Sequence, residues 1–241
     1  MSAQNGESRL DKQEQLKQQA ARYAVGFIES GMVVGLGTGS TAAYAVKQIA
    51  KCLQAGDLKK IVGIPTSIRT EKLARELNIP LCGFDAQPEI DLTIDGADEV
   101  DEDLNLIKGG GGALLREKVV AQASRRNIIV VDESKLSSRL GARWALPVEV
   151  IPFAAKAEEN FLKSMGARVT LRLDAQGQPY QTDQHNYILD ANFGEIANPN
   201  LLAAKLNERA GIVEHGLFLS LASDVIVAAQ DEIRHLKRGG K

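Results

Sequence analysis

Long hydrophobic runs are missing from this sequence of 241 residues. The first 20 residues are polar and contain no apolar segment of the length that a signal peptide or a membrane span requires. With 29 Lys and Arg against 31 Asp and Glu, the chain also lacks the basic excess that attracts nucleic acid or anionic lipid. We therefore expect a protein with no nucleic-acid or membrane partner, neither exported nor anchored.

Cysteine is scarce as well, with two residues, Cys52 and Cys82. They could pair once, but a chain of this length can bury a sizeable core and does not need a disulfide to fold. Reduced thiols and a cytoplasmic location are therefore predicted. With 44% hydrophobic and 25% charged residues, the composition is that of an ordinary globular protein.

Short apolar segments alternate with amphipathic ones in the first half of the chain. The predicted strands are MVVGL (32–36), KIVGI (60–64), IPLCGF (79–84), IDLTID (90–95) and NIIVVD (127–132). Because predicted helices separate most of these strands, the pattern indicates an α/β fold with a parallel sheet. After Leu140 a turn-rich stretch predicts a small α+β unit, and 216–236 predicts a strand and a helix that rejoin the first sheet.

A glycine-rich turn, GLGTGSTA (35–42), lies between the first predicted strand and a predicted helix. Backbone N–H groups at a helix N-terminus bind anions, and the hydroxyls of Thr38, Ser40 and Thr41 add donors. A phosphate would fit such a turn. An isolated match of this kind predicts a purely structural turn equally well.

Dinucleotide binding is a rival interpretation, because Gly37, Gly39 and Ala42 satisfy the pattern GxGxx[G/A]. That function needs an acidic residue at the end of the second strand, where this chain has Pro-Thr-Ser at 65–67. The lysine of a nucleoside triphosphate loop is also missing. A monophosphate held by backbone and hydroxyl groups is therefore favoured.

The motif DGADEVD (95–101) follows the strand IDLTID. Asp95 falls at the strand tip, where open α/β sheets place their ligands, and Asp98 follows after Gly96 and Ala97. An acidic surface turn or a helix cap is the plainer interpretation. The clustered carboxylates would also suit Mg²⁺, but the three histidines, at 185, 215 and 235, lie elsewhere, and acid/base or hydroxyl-binding roles rank above a metal.

A run of four glycines opens the segment KGGGGALLREK (108–118), with Lys108 before it. Glycines leave the backbone open to a ligand, and a flexible linker would not run straight into a helix-forming sequence. On that helix Glu117 has apolar neighbours three and four residues away, and partial burial would raise its pKa toward the range of a general base. Arg116 has comparable neighbours, so periodicity does not choose between the two.

Lys135 lies in VVDESK (130–135), just beyond a strong predicted strand. A solvated surface lysine is the usual interpretation of such a residue. At the same predicted edge of the sheet as the other motifs, a phosphate or hydroxyl contact is a second interpretation.

These four segments in this order resemble the type A ribose-5-phosphate isomerases, and the resemblance spans most of the chain. It implies interconversion of ribose 5-phosphate and ribulose 5-phosphate through a cis-enediolate, in the non-oxidative pentose phosphate pathway. By resemblance, Glu117 is the proton-transferring base, while Asp95, Asp98 and Lys108 contact the sugar hydroxyls and the developing oxyanion. The implied substrate site also includes Thr38, Gly39, Ser40, Thr41, Gly96, Ala97, Gly109, Gly110, Gly111 and Lys135.

The resemblance further implies a Rossmann-like, mostly parallel sheet with helices on both faces and a smaller inserted α+β domain. We place the main domain at 1–142 and 216–241 and the smaller one at 143–215. A homodimer, or a higher homo-oligomer, without metal or organic cofactor is implied. Amino-sugar phosphate deaminase-isomerases, CoA transferases and sugar-phosphate-sensing regulators are the competing classes, and no basic recognition helix supports the last.

Overall fold

The structure is a computed structural model that describes residues 2–229 and 232–239, with side chains described from Glu14 onward. It divides into two compact units. The first comprises the described residues up to Gly96, Val120–Ser134, and those from Ala222 onward. The second comprises Ala97–Val119 and Lys135–Leu221.

Six helices and thirteen strands make up the described part of the chain. The helices are α1 (Ser2–Val25), α2 (Ser40–Ala55), α3 (Ile68–Glu76), α4 (Leu114–Gln122), α5 (Ala155–Ser164) and α6 (Pro199–Asn207). The strands are β1 (Val33–Leu36), β2 (Val62–Pro65), β3 (Leu92–Asp95), β4 (Glu99–Val100), β5 (Leu106–Ile107), β6 (Asn127–Asp132), β7 (Leu146–Val150), β8 (Arg168–Leu171), β9 (Tyr187–Asn192), β10 (Ile212–His215), β11 (Leu217–Phe218), β12 (Asp224–Ala228) and β13 (Ile233–Lys237).

The first unit is built on a six-stranded sheet in the order β13-β12-β6-β3-β1-β2. Its strands pair in parallel except β13, which runs antiparallel to β12 at one edge. The chain places β2 on one side of β1 and then β3 on the other. The carboxyl ends of β1 and β3 therefore form the switch point at which open α/β sheets bind ligands.

Both faces of this sheet are covered. Val34 and Leu36 of β1 belong to a core cluster formed with residues of α1 and α2. Val33 points to the opposite face, where it packs in a second cluster with Ile64 and Val120, the latter from the end of α4. Apolar residues on successive positions of β1 thus explain why the sheet carries helices on both sides.

The second unit contains two antiparallel sheets. One has the order β10-β7-β9-β8 and the other the order β11-β5-β4. Their strands form one core with α5 and α6, in which Val148, Leu162 and Leu206 are fully buried. This architecture fits the smaller α+β unit predicted from the sequence.

The predicted fold class, a mostly parallel α/β sheet with helices on both faces and an added α+β unit, is confirmed. The stretch 79–84 is not a strand: Leu81 makes only an isolated bridge with Gly63, and Pro80 has no N–H to donate to a ladder. The helix predicted within 216–236 is also wrong for the described residues, since 233–237 pair with β12 as a strand.

The predicted domain bounds, 1–142 with 216–241 and 143–215, stay a prediction. The compact units differ from them, because 97–119, 135–142 and 216–221 group with the second unit.

Candidate active site

The predicted phosphate turn connects β1 to α2 in the first unit. Gly39, at a φ of 107°, turns the chain into the helix and has no side chain to cap it. The first N–H groups of a 16-residue helix therefore follow directly at Ser40 and Thr41. Gly39 and Ser40 are exposed and Thr41 is half-buried. An anion can therefore reach these groups, and phosphate binding here stays a prediction.

Asp95, at the tip of β3, holds this turn in place. Its Oδ1 accepts the N–H of Thr38 at 3.0 Å and that of Gly96 at 2.7 Å. A Cβ at Gly37 would lie 2.4 Å from the same oxygen, so the turn can close on the carboxylate only with glycine there. The carboxylate is almost entirely buried, with 3% of the residue exposed.

The hydroxyl of Thr38 faces the protein interior. Its Oγ1 lies 2.7 Å from Thr66 Oγ1 and 2.7 Å from Ser67 Oγ. The sequence predicts Thr38 as a hydroxyl donor to phosphate together with Ser40 and Thr41. In the structure both its N–H and its hydroxyl make contacts inside the first unit.

The glycine run of the second unit is closed on Asp98 in a similar way. Its Oδ2 accepts the N–H of Gly110 at 2.7 Å, and a Cβ at Gly110 would lie 2.6 Å from Oδ1. Arg172 donates to the carbonyl oxygens of Gly109 at 2.8 Å and of Gly110 at 3.2 Å. The Tyr180 hydroxyl packs so tightly that a Cβ at the last glycine of the run would lie 2.2 Å from its oxygen. The run is therefore a shaped turn and not a linker.

Lys108 and Glu117 form a buried ion pair in the second unit. Lys108 Nζ donates to Glu117 Oε1 at 3.0 Å, and the two side chains are 4% and 6% exposed. Lys108 follows β5, where its N–H donates to the Gly216 carbonyl, and Glu117 lies in the first turn of α4. A carboxylate that can take a proton thus lies beside a cation that can stabilise an oxyanion.

In the structure, Glu117 and its helix neighbour Arg116 differ in burial. The Arg116 side chain is 32% exposed and its Nη1 lies 4.0 Å from Asp183 Oδ2. The burial that periodicity allowed for both residues is found for the glutamate, which is 5% exposed as a whole residue.

A second buried charged group, Lys118 with Glu214 and His215, was missed by sequence reasoning. Lys118 Nζ donates to Glu214 Oε1 at 2.6 Å and to the His215 carbonyl at 2.6 Å. Burial lowers the pKa of Lys118, although the nearby Glu214 carboxylate raises it in part. Burial, assisted by Lys118, lowers the pKa of His215 to about 3, so this imidazole is neutral.

Phe218 links this group to the pair of Lys108 and Glu117. Its ring centroid lies 5.0 Å from Lys118 Nζ and 5.6 Å from Lys108 Nζ, so two ammonium groups share one aromatic ring. A weak signal was present in the sequence, since a polar Glu-His pair stands directly before a predicted strand. It did not indicate which lysine the pair would meet.

Lys135 belongs to the second unit and ends a short 3-10 turn (Glu133–Lys135) after β6. Its Nζ lies 5.0 Å from the ring centroid of Trp144. Within the first unit, Lys17 of α1 places its Nζ 4.0 Å from Asp132 Oδ2, at the carboxyl end of β6. Lys17 is a further cation at the ligand-binding edge that sequence reasoning did not consider.

The predicted site residues are therefore divided between the units. The first contains Thr38, Gly39, Ser40, Thr41, Asp95 and Gly96; the second contains Ala97, Asp98, Lys108, Gly109, Gly110, Gly111, Glu117 and Lys135. Within its own unit, each Gly-rich turn is held by one aspartate of the motif DGAD. Lys108, which precedes the second turn, donates a hydrogen bond to Glu117, the predicted base.

The acidic cluster shows no arrangement for a metal in the described part of the chain, where no group of three or more His, Cys, Asp or Glu side chains is placed to hold an ion. Glu99 instead accepts the N–H groups of Gly141, Arg143 and Trp144. Among the same residues, no helix has both the length and the hydrophobicity needed to cross a bilayer.

Comparison with known proteins identifies a family to which this chain is similar. Residues 62–232 match the model described as Ribose 5-phosphate isomerase A (phosphoriboisomerase A). The ribose-5-phosphate isomerase A of Desulfatibacillum aliphaticivorans is 59% identical over 228 residues, which are 95% of this chain and 99% of that protein.

Two solved structures are also similar. A D-ribose-5-phosphate isomerase in complex with phospho-erythronic acid superposes with a TM-score of 0.91 at 42% identity, over 93% of this chain and 99% of that one. The ribose 5-phosphate isomerase from Plasmodium falciparum gives 0.91 at 39% identity, over 94% and 100% of the two chains. The resemblance carried by the four sequence motifs is confirmed.

Proposed function

The chain belongs to the ribose 5-phosphate isomerase A family and is an aldose–ketose isomerase, and from this premise we propose that Glu117 carries the proton between two carbons of the sugar phosphate. The reaction removes a proton from C2 of ribose 5-phosphate, forms a cis-enediolate and returns a proton at C1. One carboxylate over one face of the open-chain sugar can make both transfers.

The buried pair of Lys108 and Glu117 is the observation that carries this proposal. Negative charge develops on oxygen as C2 loses its proton, and a preorganised cation in a dry site stabilises that charge by about 3 kcal/mol. The Lys108 ammonium, 3.0 Å from Glu117 Oε1, is suited to this role. When the Glu117 carboxylate takes the proton it becomes neutral. The Lys108 ammonium can then interact with the negatively charged enediolate oxygen instead.

Ring opening precedes this step, because the substrate is mostly a furanose. Asp95 and Asp98 are the candidate groups for accepting or relaying the anomeric hydroxyl proton. Asp98 is half-buried, whereas Asp95 is 3% exposed and one of its oxygens already accepts two N–H groups. These contacts support Asp98 as the relay and Asp95 as the residue that shapes the phosphate turn.

The phosphate is assigned to the turn at the start of α2. Its donors are the N–H groups of Gly39, Ser40 and Thr41 and the hydroxyls of the latter two. Lys135 is assigned a phosphate or hydroxyl contact. Binding energy from the phosphate then orients the reacting carbons, which do not touch it.

The bound ligand of a solved relative suggests an inhibitor. That structure contains phospho-erythronic acid. As an aldonic acid this compound carries a carboxylate at C1, a negatively charged group comparable to an enediolate. We propose that phospho-erythronic acid competes with ribose 5-phosphate in this chain too. A homodimer, which the resemblance implies, and a cytoplasmic location, which the two cysteines favour, are part of the proposal. They are tested by the mass of the protein in solution and by its location in the cell.

The decisive experiment is isomerisation in D₂O with EDTA present. The purified protein should convert ribose 5-phosphate to ribulose 5-phosphate, and deuterium should enter both sugars over many turnovers because an enediolate exchanges its proton through the base. Product and substrate that stay free of deuterium would point to a hydride shift. Loss of activity in EDTA with rescue by Mg²⁺ would revive the metal interpretation of the acidic cluster.

A further inference from the structure

Four hydroxyl groups form a buried cluster beside the phosphate turn. Thr38 comes from the turn, Thr66 and Ser67 from the segment after β2, and Thr70 from the first turn of α3. Each of these residues is at most 9% exposed. Such a group of buried hydroxyls is stable only if its donors and acceptors are matched.

The protons of three members form a directed chain, because each hydroxyl has one proton to donate. Thr38 donates to Ser67 Oγ at 2.7 Å, and Ser67 donates to Thr70 Oγ1 at 3.0 Å. Thr70 then donates to the carbonyl oxygen of Gly37 at 3.0 Å. The chain that begins at the turn therefore ends on the backbone of the same turn.

Thr66 ties the cluster to the strand that leads into the turn. Its N–H donates to the carbonyl of Leu36, the last residue of β1, at 2.9 Å, and its hydroxyl can donate to the same oxygen at 3.1 Å. Its Oγ1 also lies 2.7 Å from Thr38 Oγ1, and because Thr38 donates its own proton to Ser67, this bond forms when Thr66 is the donor. Thr38 is thus held through its side chain from two directions and through its N–H by Asp95.

We propose that Thr66, Ser67 and Thr70 are positioning residues for a phosphate monoester, an inference that rests on the function proposed above. The single proton of Thr38 is donated inside the protein, so its hydroxyl anchors the turn and does not donate to the phosphate. The cluster fixes the direction in which the N–H groups of Gly39 and Ser40 point. Phosphate affinity then depends on residues that do not touch the phosphate.

The chemistry of the cluster suits this role. At the end of the second strand, a dinucleotide-binding fold needs an acidic residue, and this chain has Thr66 and Ser67 instead. A carboxylate there would place a second negative charge beside the turn, in addition to that of Asp95. Neutral hydroxyls provide fixed contacts without adding to that charge.

The test compares Thr66→Val, Thr70→Val and Ser67→Ala with Thr93→Val as a matched control. Thr93 is equally buried, and its hydroxyl makes a 2.7 Å bond to Ser124 Oγ outside the cluster. We expect each cluster variant to raise KM for ribose 5-phosphate and the inhibition constant of inorganic phosphate about tenfold, with kcat changed less than about twofold. Thr66→Ser, which keeps the hydroxyl, should restore both constants, and the control should alter neither.

Thermal melts identify variants that fold, and the inference is judged on those. It is overturned if the folded cluster variants keep wild-type KM and phosphate inhibition, or if kcat falls while both constants stay unchanged. Either result leaves the proposed isomerisation intact, since the wild-type protein serves as the activity reference. Failure of the proposed function would instead appear as a wild-type protein that does not convert ribose 5-phosphate.

Discussion

The two glycine-rich turns of this molecule are built on the same device and differ in what surrounds it. In each, an aspartate accepts a backbone N–H and leaves no room for a Cβ: Asp95 at Gly37 in the first unit, Asp98 at Gly110 in the second. The first turn is braced further by neutral hydroxyls. The second is braced by Arg172 and lies next in sequence to the charged Lys108.

The difference follows from what each turn is proposed to do. The first turn offers a phosphate N–H and hydroxyl donors, and the hydroxyls that brace it add no negative charge to that of Asp95. A turn beside proton transfer needs fixed charges, because the reaction creates an anion that must be stabilised. The same aspartate–glycine closure therefore serves binding in one unit and chemistry in the other.

Glu117→Gln tests the proposed proton transfer beside the second turn, and it has the largest expected effect. Losing the base should lower kcat by about 10³-fold while the protein stays folded. Coupled detection of ribulose 5-phosphate measures the loss. Glu102→Gln, which changes an exposed carboxylate of the same unit, should keep wild-type kcat. Near-normal turnover of Glu117→Gln would remove Glu117 from the mechanism.

Lys108→Met should lower kcat by about 10²-fold, because the oxyanion loses its cation while an unbranched side chain of similar bulk remains. KM should change little. The matched control is Lys156→Met, at a lysine whose side chain is 76% exposed and paired with Glu159. A variant that raised KM with unchanged kcat would show that Lys108 binds substrate and does not stabilise the intermediate.

The paired substitutions Gly37→Ala and Gly110→Ala break the two closures separately. Both new methyl groups would meet an aspartate within 2.6 Å. We expect Gly37→Ala to raise KM and Gly110→Ala to lower kcat, each about tenfold, since displaced turns misplace bound groups. Gly83→Ala, where a Cβ meets nothing within 4 Å, is the control. Equal effects of both changes on kcat and KM would contradict the division of roles.

The buried His215 of the second unit should make the free energy of unfolding depend on pH. Its pKa is about 3 in the folded protein against an ordinary 6.5, so only the unfolded chain binds this proton between those values. The free energy of unfolding should therefore fall as pH falls from 6.5, by about 1.4 kcal/mol per pH unit. His215→Asn, which keeps an acceptor near Lys118, should flatten that slope in urea titrations. At a pH well above 6.5, the difference in stability between the wild type and His215→Asn reports the packing cost alone. Identical slopes of the free energy of unfolding against pH in the two proteins would contradict the burial argument.

Lys135→Ala has the smallest predicted effect, a rise in KM of about threefold, since a half-buried lysine contributes one screened contact. Steady-state kinetics with ribose 5-phosphate measures it. Lys47→Ala is a matched control, because that lysine also lies over an aromatic ring, 5.7 Å from Tyr44. An unchanged KM would place Lys135 outside the substrate site.

Motif order made the fold class and the family predictable, because alternating strands and glycine turns are local signals. Helical spacing did not choose between Glu117 and Arg116, since it leaves both with an apolar face and only tertiary packing buries one; the choice of Glu117 came from the resemblance. The hydroxyl partners Thr66 and Ser67 lie 28 and 29 residues beyond Thr38 in the chain, and no local pattern marks them. For the same reason Lys118 was not connected with Glu214, which is 96 residues away in sequence.

The hydroxyl chain around Thr38 also has a consequence for titration. None of its members gains or loses a charge between about pH 5 and 9. A phosphate monoester loses its second proton near about pH 6, so the ligand changes charge in a range where this brace does not. Titration of this hydroxyl chain therefore adds nothing to the pH dependence of substrate binding.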